Sequence, residues 1–327
     1  MGNLTNFPNG ISSFGVPVLG NLPFAIGAAG LGKIYFVDAT NGVDSNSGLS
    51  PDTALATLAQ AYSLVTTNNH DLIVLSANAT HTLTAMLTIT KNRVHIIGLD
   101  GRSGFGIGAR AKISLGVTTV ATDIATIQNT GVGNTFTNIK IMNSNTVTEG
   151  IYALAEGGEY SVYQQCEFYK DTDLDETAAA EVLNNGDSAQ WLNCTFGSSA
   201  NIIADNKIRP NMLLTATLSG KKCRDNIVDQ CIFLSKAGGT EAVRIYGANA
   251  TDVERLFLVK DSIFFNNILS AATPAHAVGF GASQTEGAVI LKNCTSVDHT
   301  VMAQALRNIY VDGAVPTFAT TGVSVAA

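Results

Sequence analysis

Charge is what this chain has least of. Asp, Glu, Lys and Arg make up 14% of its 327 residues, against the usual quarter. The net charge is -7, and no Lys/Arg cluster of the kind that grips phosphates is present, so nucleic acid is not an expected partner. No apolar run reaches the ~18 residues that would suggest a membrane span. The first thirty residues lack a positive n-region, so no secretory signal is expected. Asn6 stands where a myristoylation signal needs Ser or Thr. Tryptophan occurs once and aromatics make up 7%, which does not suggest a sugar-stacking groove. No Walker, dinucleotide or nucleophile-elbow motif occurs, and no CxxC or Cys/His spacing suggests zinc. We therefore expect no cofactor, no metal and no ready-made catalytic motif. Apolar residues (46%) allow a sizeable core, and the rest is largely Gly, Ser, Thr and Asn. That surface, polar without charge, suits a rigid β-rich extracellular or virion protein.

What is present is a degenerate repeat. Six segments carry a polar residue, a small or apolar one, any residue, then usually an apolar one: Asn138 to Ile141, Gln165 to Phe168, Asn193 to Phe196, Gln230 to Phe233, Asp261 to Phe264 and Asn293 to Ser296. Their second positions are 27, 28, 37, 31 and 32 residues apart. Spacings in this range mark a solenoid or an array. Four of the five cysteines (Cys166, Cys194, Cys231, Cys294) fill that second position. One equivalent slot is not a disulfide framework; it predicts buried thiols stacked along an interior ladder. The polar residues before them are expected at a bend.

Four regions follow. Residues 1–31 form an apolar, non-periodic arm with three prolines in 23 residues, which excludes a helix or a central strand. It is read either as a disordered terminus or as a segment that orders on docking. Residues 32–70 hold a strand (Ile34 to Asp38), a turn-rich stretch and a short helix from about Asp52 to Val65, capped by Asp52 or Ser50, that lids the solenoid. Residues 71–312 are short apolar strands with no helix between them, which argues against βαβ units. Expected strands include Leu72 to Leu75, Leu83 to Ile89, Val94 to Gly98, Ala111 to Leu115, Ile124 to Ile127 and Phe136 to Met142. Residues 313–327 are a cap or tail. The fold class is all-β: a parallel β-helix of on the order of eight or nine rungs, a rod roughly 40 Å long.

Two stretches resemble known families. Tyr35-Phe36-Val37-Asp38, then Gly42-Val43-Asp44-Ser45-Asn46-Ser47-Gly48, Ala54 to Ala61 and Asp71 to Leu75, resemble the entry region of pectate-lyase-like right-handed β-helix proteins; this implies the fold and is nearly silent on function. Leu4 to Val18 is similar to the N-terminal arm of tailed-bacteriophage virion proteins. That resemblance implies attachment to a particle through the arm. Phe7, Pro8, Ile11, Phe14, Val16, Pro17 and Val18 would then be the partner-binding residues, and the major capsid protein or another shell protein the partner. β-Helix virion proteins commonly associate as homotrimers, and the protein would be located in the virion.

An enzyme reading needs convergent groups. A glycosidase needs two carboxylates roughly 5 to 9.5 Å apart; a pectate-lyase mechanism needs calcium-binding carboxylates and a base. The densest acidic stretch, Asp171 to Glu176, opens like a calcium loop but has Glu176 where glycine belongs and Val182 where glutamate belongs; a solvated loop is expected. Glu167 and Asp261 occupy different positions of the repeat, and Asp229 and Asp252 show no equivalents a rung away. The five histidines are isolated, and His95 reads as a packed strand residue. Gly104 to Gly108 is a flexible loop signal. Two hypotheses remain. The favoured one is a structural virion protein decorating a bacteriophage head through its arm. The alternative is a tailspike-type β-helix that binds or degrades host polysaccharide.

Overall fold

The structure, a computed structural model, describes residues 12–13, 16–17, 32–77, 79–99, 111–116, 120, 122–144, 151–170, 179–203, 209–215, 221–237, 243–266 and 274–312. Among these residues three parallel sheets of ten, eight and eight strands run the length of a solenoid. The rung beginning at Thr135 shows the plan. Thr135–Thr137 lies in sheet I, Ile139–Asn143 in sheet II and Tyr152–Glu156 in sheet III. Val162–Gln164 then returns to sheet I, parallel to Thr135–Thr137. Nine steps between the ten strands of sheet I give a rod of about 43 Å.

The repeat marks the corner between sheets I and II. Asn138, Gln165, Asn193, Gln230, Asp261 and Asn293 all have φ between 49° and 55°. This left-handed conformation turns the chain within one residue and suits Asn and Asp, whose short polar side chains bond locally. The expected single strands Phe136 to Met142 and Leu83 to Ile89 are each two. Asn138 splits the first into Thr135–Thr137 and Ile139–Asn143, and the second divides into Thr80–Leu83 and Leu87–Ile89. Apolar runs alone did not show these breaks, because the corner needs only one polar residue. The sheet ladder continues through the corner: the amides of Asn138, Gln165 and Asn193 donate to the carbonyls of Gln164, Leu192 and Asp229 one rung on, at 2.9–3.0 Å.

The thiol ladder expected from the sequence is present for three of its four cysteines, and the fourth, Cys294, is only half-buried. Cys166, Cys194 and Cys231 are buried beside these turns, and all the cysteines are free. Each thiol donates to carbonyls of its own and the preceding rung, as Cys166 does to Gln164 (3.4 Å) and Phe136 (3.3 Å). Two residues further on, Phe168, Phe196, Phe233 and Phe264 stack face to face, with centroids 5.3, 4.7 and 4.8 Å apart. Across the core Phe136, Tyr163 and Trp191 stack at 4.8 and 4.2 Å. Parallel in-register pairing puts like side chains one rung apart, so both columns follow from the repeat.

The helical lid is shorter than the sequence suggests. A 3-10 turn covers Pro51–Thr53, and the α-helix covers only Leu58–Leu64. Its cap is Thr57, whose side chain accepts from the Gln60 amide, rather than Ser50 or Asp52. Leu58, Ala61 and Tyr62 face the first rungs. Lys91 reaches back to donate to the carbonyls of Tyr62, Ser63 and Val65 at 2.7–3.0 Å, satisfying the helix C-terminus.

Ser12–Ser13 and Val16–Pro17 form a two-stranded antiparallel pair apart from the three sheets. Of the arm residues named from the sequence, Val16 and Pro17 fall in this pair. Phe7, Pro8, Ile11, Phe14 and Val18 lie outside the described residues, as do Gly104 to Gly108, Asp171 to Glu176 and residues 313–327.

Candidate functional site

The corner between sheets III and I gathers charge. Isolated parallel bridges pair Val132 with Glu159, Glu159 with Asp187, and Asp187 with Arg224. These residues therefore hold the same position on consecutive rungs. The neighbouring bridge from Cys223 to Val253 places Glu254 next in that column. Two glycines supply the approach: a Cβ on Gly158 would meet the Gly131 carbonyl oxygen at 2.3 Å, and one on Gly186 would press on Glu156 at 3.0 Å. From Glu159 to Glu254 the column spans three rung steps, about 14 Å.

Glu159, Asp187, Lys221, Lys222, Arg224 and Glu254 line a cleft of about 240 Å³. Its charges are paired across rungs. Lys221 Nζ lies 2.5 Å from Glu159 Oε1. Arg224 donates through Nε to Asp187 Oδ2 at 3.0 Å and through Nη2 to the same oxygen, and its Nη1 lies 3.7 Å from Glu254. Lys222 pairs with Glu286. The hydrogen bond from Arg224 holds the Asp187 carboxyl below the usual range, against the opposing effect of its burial. Beside this column stands Tyr160, which is 61% exposed and also in the left-handed region.

The sequence reading missed this site, yet a signal existed. Val132, Glu159, Asp187 and Arg224 each stand seven residues before the second position of the repeat (Ile139, Cys166, Cys194, Cys231). Reading outward from the cysteines at that offset would have found a carboxylate pair on adjacent rungs.

The groups singled out from the sequence fall elsewhere and do not converge. Glu167 pairs with Lys140 at 2.6 Å on the outside of sheet II. Asp229 faces Lys260 one rung away at 2.8 Å, an equivalent position that the sequence reading did not see because the partner is a lysine. Asp252 is buried and accepts from the Asn249 amide at 2.8 Å. His95 is half-buried rather than a core residue. Its Nε2 meets His70 Nδ1 at 3.0 Å and its Nδ1 meets Thr135 Oγ1 at 2.7 Å. Burial, with the adjacent His70, pushes its pKa down to about 4.

Among the described residues two carboxyls are pushed up, both by burial, and neither belongs to the cleft. Glu156 is sealed inside the rod. It accepts from Tyr163 Oη, Asn129 Nδ2 (2.8 Å), the Gly158 amide (2.8 Å) and Ser161 Oγ (3.1 Å). Glu181 lies at the opposite corner, bonded to Asn211 Nδ2 at 3.1 Å. Among the described residues no group of three His, Cys, Asp or Glu is placed to hold a metal.

No protein-family model and no curated protein sequence matches the chain. Solved structures do resemble it. Pectin methylesterase PemA from Erwinia chrysanthemi superposes with a TM-score of 0.56 at 12% identity, covering 91% of this chain and 94% of that one. The Aspergillus niger pectin methylesterase in deglycosylated form gives 0.57 at 12%, covering 90% of each chain. A rhamnogalacturonan lyase gives 0.53 at 13%, covering 86% of this chain and 67% of that one. At this identity the likeness is one of architecture, and with the three parallel sheets it establishes that the chain folds as a right-handed parallel β-helix.

Proposed function

We propose that this β-helix binds a polysaccharide along the cleft between sheets III and I. The observation that carries the reading is the column Glu159, Asp187, Arg224 and Glu254 with exposed Tyr160 at its side. Carboxylates accept and guanidinium and ammonium groups donate, so the strip can bond sugar hydroxyls and carboxylates along about 14 Å of chain. The Tyr160 ring offers a flat apolar platform for the C–H face of a pyranose ring. Polysaccharide-active proteins among the structures of like fold support the same direction. Binding rather than hydrolysis fits the charges. A glycosidase holds one carboxyl protonated to serve as acid. Here Asp187 is held ionised by Arg224, and Glu159 is paired with Lys221.

The test is affinity electrophoresis of the purified protein in gels containing polygalacturonate, a neutral glucan or a bacterial capsular polysaccharide. Retardation by at least one of them is expected, weakened about tenfold, or ~1.4 kcal/mol, by Tyr160→Ala or Arg224→Ala. Folded protein that migrates unretarded in all three would remove the reading. A glycan panel that gives retardation unchanged by both substitutions would place binding elsewhere.

A second reading, a structural virion component anchored by residues 1–31, is favoured by the arm itself. Its Ser12–Ser13 and Val16–Pro17 pair belongs to none of the three sheets. In that reading a capsid or other shell protein takes the arm, and three rods associate about a symmetry axis. Cryo-EM density of a particle with residues 1–31 seated on the shell would establish it. A rod held by any other part of the chain would refute it.

A further inference from the structure

The corner where sheet II hands over to sheet III holds two arginines inside the rod. Arg244 has no exposed surface and Arg209 is 3% exposed. Arg209 donates through Nη2 to the Lys170 carbonyl at 3.2 Å, and Arg244 through Nη1 to Asn211 Oδ1 at 3.5 Å. Arg209 Nε, Arg244 Nε and Arg244 Nη2 have no partner. Asn211 ties the corner together, donating to Glu181 Oε2 (3.1 Å), the Phe196 carbonyl (3.2 Å) and the Leu234 carbonyl (2.9 Å).

Among the described residues the charges of this corner do not balance. Glu181 is the carboxylate whose field reaches both arginines, and the arginines act on each other. Burial pushes Arg244 down to about 10, with Arg209 repelling it and Glu181 opposing the shift. Burial pushes His299 down to about 3, with Arg244 adding to the shift, so this ring is neutral and brings no charge. Buried charges are ordinarily paired and hydrogen-bonded. Among the described residues, two guanidinium groups face one carboxylate, which leaves an excess of positive charge and three N–H donors without acceptors.

We propose that this corner holds a small oxyanion between Arg209 and Arg244. The ligand class is a phosphate, a sulfate or the carboxylate of a small acid. Its two or more acceptor oxygens match the forked donors of guanidinium, and its negative charge cancels the excess. Water would satisfy the donors and leave the charge. The site is inside the rod and separate from the cleft at the other corner, so the inference stands whether or not that cleft binds glycan.

The experiment follows thermal unfolding of the full chain, desalted and then titrated with inorganic phosphate, sulfate or D-galacturonate at constant ionic strength. An anion trapped during folding is sought by denaturing the desalted protein and measuring released phosphate and sulfate by ion chromatography. We expect a saturable rise in the unfolding midpoint with at least one anion, or release of about one anion per chain. The same rise must be absent in Arg244→Met. If that variant does not fold, Arg209→Met is held to the same requirement. No saturable rise and no released anion would overturn the proposal in favour of bound water. An equal rise in the folded variant would overturn it in favour of a general salt effect. The anion that acts identifies the source: phosphate or sulfate marks a structural ion, and galacturonate alone marks a sugar-acid ligand.

Discussion

Phe196→Ala tests the stacked core most directly. Phe196 is fully buried, with Phe168 and Phe233 at centroid distances of 5.3 and 4.7 Å and Trp191 at 5.7 Å. Removing a buried phenyl ring costs about 3–5 kcal/mol through lost transfer energy and the cavity left behind. The two stacked ring contacts, to Phe168 and Phe233, each worth about 0.5–1.5 kcal/mol, place the cost in the upper part of that range. Relaxation is restricted, because the strands above and below are held in register on both sides. Phe196→Leu keeps most of the volume, and its cost should fall to about 1.5 kcal/mol or less. Ile263→Ala, on the outer face of the same sheet and 37% exposed, should cost about 1 kcal/mol or less. Guanidinium unfolding followed by the fluorescence of the one tryptophan, Trp191, reads the effect beside the cavity. With a slope of about 5 kcal/mol/M, the Phe196→Ala midpoint should fall by about 0.8–1 M. A loss below about 1 kcal/mol, or one no larger than that of Ile263→Ala, would refute continuous packing through this rung.

Other perturbations address the corner, the sealed acid and the thiols. Asn193 is exposed with φ 53°, so Asn193→Ala should lose about 1–2 kcal/mol in urea unfolding while Asn193→Gly stays near the parent; equal losses would show that the left-handed turn is not the cause. Burial raises Glu156 above its ordinary value, so the folded state binds the proton more tightly than the unfolded one. Its contribution to stability is full below the unfolded-state pKa and is lost as pH rises through the raised value. Glu181 shifts the same way. Glu156→Gln should therefore flatten the decline in stability with rising pH, and an unchanged slope across a pH series of urea midpoints would contradict this. For the thiols, burial raises Cys194 and Cys223, and pushes the half-buried Cys294 up to about 11. Native protein should react with a thiol reagent slowly and at Cys294 first, and denatured protein at all five cysteines; rapid labelling of Cys166, Cys194 or Cys231 in native protein would contradict the interior ladder.

Much of the fold was legible because a β-helix repeats one local solution. The corner needs a residue tolerant of positive φ, then a small side chain, then a large one two positions on. Asn138, Cys166 and Phe168 therefore belong to series readable without a structure. The lid was legible in kind but not in extent: the sequence pointed to Ser50 or Asp52 as the cap, whereas the helix starts later and is capped by Thr57, whose side chain accepts from the Gln60 amide. The candidate site was not read, although Glu159, Asp187 and Arg224 stand at a fixed offset from the cysteines. A column of mixed sign does not look like a repeat.

By itself the sequence determined the period, the inward thiol and phenylalanine columns and the absence, among the described residues, of helices beyond the lid. These depend on neighbours along the chain and on one side chain per rung. Tertiary structure alone decided which charges meet. Lys221 reaches Glu159 across 62 positions, and Arg244 lies opposite Arg209 within a sealed corner. Parallel stacking brings residues about 30 positions apart to within ~4.8 Å, and insertions of unequal length between strands set which residue faces which. Electrostatic pairing acts at that short range, so the chemistry of this rod is written across its rungs.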